Sequence, residues 1–202
     1  MFNAAVVGYG MAGRYYHSYL ISVARGLDLY AIATRDPERQ QQAAEHYPKA
    51  RVYENIDQLL ADDKVDLVVL ATPHNVHAEL AIKAMEAGKH VVTDKAMCLN
   101  ALEAEMMITA SERNNVLLSV FHNRRWDWDY LTVKKVIDDG LLGNPYLYQV
   151  SIMQYDRPRG WGWRGSKVQS GGILFDWPAH LVDQALQLID SSVSTVFCDI
   201  YY

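Results

Sequence analysis

Three side chains in this sequence of 202 residues have the types that move protons: Lys95, Asp176 and His180. Lys95 directly follows Asp94 after the apolar run His90–Thr93, at a strand's carboxyl end, where open α/β sheets place their ligands. Burial and neighbouring charge can bring a lysine's pKa down toward usable values. Asp176 and His180 are spaced i, i+4, so on one helix they share a face. An imidazole titrates near neutral pH and suits a general base, while the carboxylate can accept from a hydroxyl or orient the ring. Taken alone, Lys95 also reads as an exposed strand-end lysine, and the Asp-His pair reads first as a helix-surface pair. No metal is expected. Asp176, His180 and His77 lack the HxH or HExxH spacing of metal ligands. The only two cysteines, Cys98 and Cys198, cannot complete a four-ligand zinc site.

A second group of residues could hold phosphate. Gly8-Tyr9-Gly10-Met11-Ala12-Gly13 is a GxGxxG that follows a short apolar strand and opens a helix. Gly8 permits a tight turn, Gly10 leaves no Cβ between backbone and pyrophosphate, and Gly13 lets helix and strand pack closely. The phosphates then meet free N–H groups at the helix N-terminus. The end of the second strand selects the dinucleotide. Thr34 and Arg35 stand where an NAD enzyme usually has an acidic residue for the ribose 2′-hydroxyl. Asp36 precedes Pro37 and reads as a helix N-cap. A hydroxyl plus a guanidinium suits a 2′-phosphate, which favours NADP over NAD. The plainer reading of Arg35 is a solvated surface residue.

Composition narrows the class. Half of the residues are hydrophobic and 21% are charged, which argues for a folded chain. A net charge of −5 lacks the basic footprint of a nucleic-acid binder, and no Lys/Arg run marks a membrane surface. No signal peptide is apparent at Met1–Gly8, and two reduced thiols fit a cytoplasmic location.

The elements that must carry these residues alternate over the first 120 positions. Strands are expected at Ala4–Val7, Leu29–Ala33, Arg51–Tyr53, Val65–Ala71, His90–Thr93 and Val116–Val120. Helices are expected at Ala12–Val23, Pro37–His46, Ile56–Ala61, Val76–Ala87 and Ala101–Asn114. This alternation predicts an α/β fold, a doubly wound parallel sheet covered on both faces. A dinucleotide-binding domain over residues 1–121 and a partial α+β domain over 122–202 follow. The second part has helices at Asp127–Asp138 and Ile173–Ile189, strands at Tyr146–Gln154 and Ser194–Tyr202, and a loop at Arg157–Gly172. Two strands and two helices make a poor core alone, so truncation or completion by another chain is expected.

Four segments resemble the glucose–fructose oxidoreductase/inositol dehydrogenase (Gfo/Idh/MocA) family. They are the glycine fingerprint, the TPxxxH loop Ala71-Thr72-Pro73-His74-Asn75-Val76-His77, the GKHVxxEKP-like segment Gly88–Ala96, and the GGxxxDxxxHxxD-like segment Gly171–Asp183. Asn123-Arg124-Arg125-Trp126 matches a segment of the scyllo-inositol-dehydrogenase-like members. The resemblance implies an NAD(P)-dependent oxidoreductase that transfers hydride between nicotinamide and a hydroxyl or ketone of a polyol, inositol or sugar. It implies an open, mostly antiparallel second sheet, through which a homo-oligomer is expected. The resemblance further assigns roles: Lys95 would bind the substrate hydroxyl and relay the proton, His180 would be the base and Asp176 a substrate ligand, with the cofactor and substrate contacts as follows. Ala71, Thr72, Pro73, His74 and His77 line the cofactor, joined by Asp94, Trp163 and Arg164; His77 could instead cap its helix. Asn123 and Arg124 reach the substrate side, and Asp183 either supports the site or is a solvated carboxylate. The chain departs from the pattern with Asp94 for Glu and Ala96 for Pro, and the loss of proline removes a cis preference next to Lys95. A dinucleotide-binding sensor without turnover and an inactive fragment of a longer dehydrogenase are the alternatives.

Overall fold

A computed structural model describes residues 1–153 and 162–199. Its one sheet among these residues has six strands: β1 (Phe2–Val7), β2 (Leu27–Ala33), β3 (Arg51–Tyr53), β4 (Leu67–Leu70), β5 (His90–Thr93) and β6 (Leu118–Val120). All pair in parallel, in the order β3-β2-β1-β4-β5-β6. The order reverses between β1 and β4, and that switch leaves a crevice at the carboxyl ends of the strands.

Side chains in β1 alternate between two cores, as the pleat requires. Ala5 and Val7 face one cluster with Val68, Leu70 and Val91. That cluster is closed by α3 (Ile56–Leu60), α4 (His77–Glu86) and α5 (Ala101–Asn114), through residues such as Leu59, Met85 and Met107. Ala4 and Val6 face the other cluster with Ile32, Val69, Ile21 and Ala43. There the cover is α1 (Ser18–Val23) and α2 (Pro37–His46). Short polar side chains set where helices begin. Asp36 accepts from the N–H groups of Glu38 and Arg39, Asn55 from Gln58, and Asn100 from Glu103.

Two helices differ from the sequence expectation. The helix expected at Ala12–Val23 has a π-helical turn, Gly13–His17, before α1, with the Ser18 N–H bonded to the Gly13 carbonyl. The single helix expected at Ile173–Ile189 is split. A 3₁₀ turn at Ile173–Phe175 ends at Asp176, and α8 (Trp177–Leu188) begins with Pro178 in its first turn. Proline has no N–H to continue an earlier turn, so it can only start this helix. Upstream lie α6 (Trp128–Asp138) and a one-turn α7 (Lys167–Ser170) within the expected loop, whose residues 157–161 lie outside the described ones. The second, antiparallel sheet does not form among the described residues. Positions 146–153 and 194–199 carry no strand, while Gln154 and 200–202 lie outside the description. A strand exists only where a neighbour takes its N–H and C=O groups, and none of the described segments offers one. No helix of the described residues is long and apolar enough to cross a membrane.

The glycine turn supplies a stability test. A Cβ on Gly13 would lie 1.9 Å from the Gly8 carbonyl oxygen, whereas one on Gly10 would meet only the Arg39 Nη1, at 3.6 Å. Gly13→Ala is expected to cost about 1–3 kcal/mol. Thermal unfolding would show this as a fall of roughly 2–4 °C per kcal/mol. Gly10→Ala should leave the Tm within about 2 °C, as an exposed substitution does.

Candidate active site

The turn after β1 is built by contact. Gly8 has φ +96°, and its N–H bonds the Ala33 carbonyl at 2.8 Å. A Cβ there would stand 2.5 Å from the Ala71 carbonyl oxygen, so the loops after β1 and β4 touch backbone to backbone. Gly13 then packs beneath Gly8. Gly10 has only the tip of the Arg39 side chain near its missing Cβ, which leaves the kind of cradle a pyrophosphate needs.

Three adjoining cavities follow the carboxyl edge of the sheet. The first, about 610 Å³, is lined by Gly8, Thr34, Arg35, Arg39, Thr72 and Pro73 among others. Its acidic neighbour Asp36 is already committed. Its carboxylate caps α2 and also pairs with the Arg39 Nε at 3.2 Å. Arg35 and Arg39 thus line this end together with two further carboxylates, Glu54 and Glu79. A narrow space of about 50 Å³ comes next, bounded by Gly10, Ala71, Thr72, His74 and Trp163. It shares Met11, Ala12, Asp94, Lys95 and Arg164 with the third cavity of about 280 Å³. His74 is held from behind by its Nδ1, which donates to the Ser170 carbonyl at 2.8 Å, and Trp163 meets its ring edge-on at 4.8 Å. The Arg164 guanidinium lies 4.6 Å from the Trp163 ring centre.

The third cavity brings Lys95, Asp176 and His180 together, although the first lies 81 residues before the second. The Lys95 ammonium pairs with the Asp176 carboxylate and lies 3.2 Å from the Asp176 carbonyl. Asp176 does not sit on the helix with His180. It is the residue before α8, and its carboxylate turns to Lys95 rather than to the imidazole. The Lys95–Ala96 peptide is cis although position 96 is alanine, contrary to the sequence expectation. His180 is 5% exposed, and its Nδ1 is buried without a partner among the described residues. Burial, reinforced by the charges of Lys95 and Arg124, lowers its pKa to about 4. The imidazole is thus neutral at physiological pH, ready to accept a proton.

Asn123 and Arg124 lie in a 3₁₀ turn after β6 and line this cavity. The Arg124 guanidinium stacks 4.1 Å from the centre of the Trp177 ring and donates to Asp127 at 2.7 Å. Asp183 serves the scaffold: both its oxygens accept from Arg125, at 2.8 and 2.6 Å. Three residues expected at the cofactor point elsewhere or line none of these cavities. The Tyr9 side chain is buried in the core, its hydroxyl 3.0 Å from His46 Nδ1, because the residue between the first two glycines turns inward. His77 is fully buried at the start of α4. Its two ring nitrogens lie 2.8 and 3.0 Å from the carbonyls of Ala96 and Thr72, so it ties the loops together behind the cavities. Gly13 supports Gly8 and lines none of the three cavities.

Sequence reasoning missed Arg39, His17 and Trp177. Arg39 could be reached only through the N-cap, since it lies three residues after Asp36 in the first turn of α2. His17 and Trp177 carried no spacing signal, since a π turn and a helix break set their directions. Among the described residues no group of three His, Cys, Asp or Glu side chains is arranged to hold a metal ion.

Comparison with known proteins identifies the family. Residues 2–122 match the model of the Gfo/Idh/MocA oxidoreductase family, NAD-binding Rossmann fold, and residues 130–202 match that of the Gfo/Idh/MocA C-terminal domain. Scyllo-inositol 2-dehydrogenase (NADP(+)) IolW of Bacillus subtilis is 37% identical over 92% of this chain and 51% of its own length. Myo-inositol 2-dehydrogenase of Thermotoga maritima is 28% identical over 96% of this chain and 57% of its own. The crystal structure of an NAD-binding protein from Listeria innocua superposes with a TM-score of 0.81 at 35% identity, covering 94% of this chain and 55% of that one. The chain thus spans about half the length of the relatives it matches. On fold, motif order and both family matches, the chain belongs to the Gfo/Idh/MocA oxidoreductase family.

Proposed function

We propose that this chain carries the dinucleotide site and the proton-handling side chains of an NADP-preferring oxidoreductase acting on a hydroxyl or ketone of a polyol, inositol or sugar. The observation that carries the reading is the Lys95–Asp176 pair beside a buried, neutral His180, one cavity away from the Gly10 cradle. The substrate class draws support from the inositol dehydrogenases among the relatives.

The residues present fit a nicotinamide dinucleotide. Gly10 leaves room for the pyrophosphate, and Arg35 with Arg39 can hold a 2′-phosphate in the first cavity. Bound there, the dinucleotide supplies or accepts the electron pair of carbonyl reduction or alcohol oxidation. The protein does the rest. Lys95 donates to the substrate oxygen, and Asp176 holds the ammonium and accepts from a neighbouring hydroxyl. During alcohol oxidation the neutral imidazole of His180 takes the hydroxyl proton. The charges of Lys95 and Arg124 that keep His180 neutral also stabilise negative charge developing on the oxygen.

Binding and chemistry can be tested separately. Tryptophan fluorescence titration is expected to show tighter binding of NADPH than of NADH. Arg35→Ala should erase that preference by about tenfold or more, as loss of a charged hydrogen bond does. Equal affinities in the parent chain would contradict the 2′-phosphate assignment.

His180→Ala is expected to lower kcat by about 10²–10⁴-fold with dinucleotide binding unchanged. The folded-state pKa of His180 lies below the ordinary histidine value of 6.5. Its neutral form therefore adds stability that is full above pH 6.5 and is lost as pH falls toward about 4. The acid limb of kcat/KM should fall in the same low range, and a limb at the ordinary histidine pKa would contradict this environment.

We also propose that the chain self-associates through its second part. Tyr146 and Phe197 are 98% and 88% exposed, and Leu147, Met153 and Val196 are exposed with them. So many apolar side chains on one part of a chain call for a cover. Light scattering should report a dimer or larger, and a monodisperse monomer would contradict association.

A further inference from the structure

The glycine helix carries a histidine that the proton chemistry above does not use. His17 is 3% exposed and lines the same cavity as Lys95 and His180. Its Nε2 lies 3.3 Å from Asp94 Oδ2. Asp94 Oδ1 accepts from the backbone N–H of Lys95 at 2.7 Å. The Asp94 backbone N–H is itself fixed to the Leu70 carbonyl at 2.9 Å. One carboxylate therefore joins the first helical turn to the lysine at the end of β5. An ionised carboxylate only accepts, so the imidazole must donate through Nε2.

Two further observations show that His17 is placed for this contact. The π turn ending at His17 is wider than an α turn and rotates the residues that follow. His17 and Ser18 are buried in consequence, while Tyr15 and Tyr16 face solvent. Phe121, the residue after β6, meets the His17 ring edge-on at 4.7 Å, and its own N–H is bonded to the Thr93 carbonyl at 2.8 Å. The ring is thus clamped between the end of the sheet and the carboxylate. Burial pushes Asp94 toward protonation, but the bond and charge from His17, with the Lys95 N–H, outweigh it and hold the carboxyl below its usual range.

We propose that His17 is a positioning residue for Lys95. It engages the second oxygen of Asp94, so that this carboxylate fixes the Lys95 backbone and leaves the ammonium to Asp176. Without His17, an anionic oxygen with no partner would stand in the lysine's cavity and compete with Asp176 for the ammonium. The inference rests on the proposed role of Lys95, but its contacts are independent of any substrate.

The test is trace acetylation of the 202-residue chain at mildly alkaline pH, read for each lysine by mass spectrometry. Acetylation needs the free amine. His17→Leu should therefore slow labelling of Lys95 by about threefold or more, because the freed carboxylate oxygen engages the ammonium alongside Asp176. Lys83 and Lys167 should keep their rates. His17→Gln, whose side-chain amide can donate at a similar reach, should label Lys95 at the parent rate. In an Asp94→Asn background, His17→Leu should add nothing. An unchanged or faster Lys95 in His17→Leu would overturn the proposal, as would an equal effect in the Asp94→Asn background or a change shared by all lysines. If His17→Leu fails to fold, His17→Asn, whose shorter amide stops short of Asp94 Oδ2, takes its place with the same expected slowing and the same loss of effect in the Asp94→Asn background. NADPH titration of the same proteins separates the two readings. Loss of binding in the parent chain would contradict the dinucleotide site, while the labelling pattern would still report on His17.

Discussion

The structure depends on one close approach. The backbone at Gly8 meets the Ala71 carbonyl where the strand order reverses, and Gly13 lets the first helical turn lie directly beneath. A side chain at either position would overlap backbone, which cannot yield as a side-chain tip can. This contact sets the distance between the loops after β1 and β4. It also opens the space at Gly10 and aims the first helical turn across the end of β5. The cavities, Lys95 and His17 all take their positions from it.

The electrostatics of the site follow from burial. A lysine, two aspartates and two histidines share one partly enclosed cavity. Each charge there needs a partner. Lys95 takes Asp176, Asp94 takes His17, and Arg124 takes Asp127 and the face of Trp177. Among the described residues no anion is bonded to the His180 ring, and burial holds it neutral. Two kinds of group therefore line one cavity: an ammonium that can hold an oxygen, and an imidazole that can take its proton.

Much of the first domain was legible because local and global signals agree there. The ranges of α2, α5, β3 and β5 follow from caps, short apolar runs and Pro37, and each matches the structure residue for residue. The grouping of Lys95, Asp176 and His180 could also be reached, through motifs that resemble a family. What was not legible lies where geometry departs from a regular period. A π turn redirects His17, and Pro178 places Asp176 ahead of its helix instead of on it. Tyr9 and His77 stand in motif positions yet turn into the interior, because a motif records position and not side-chain direction. The strands expected beyond Tyr146 need partners that the described residues do not provide.

Where a dinucleotide sits is the most direct test. A crystal structure of the chain with NADPH is predicted to show the 2′-phosphate between Arg35 and Arg39 and the pyrophosphate over Gly10. The nicotinamide should lie beside Trp163, facing the cavity of Lys95, Asp176 and His180. A dinucleotide bound away from the Gly10 cradle, or with its nicotinamide turned out of that cavity, would contradict the account.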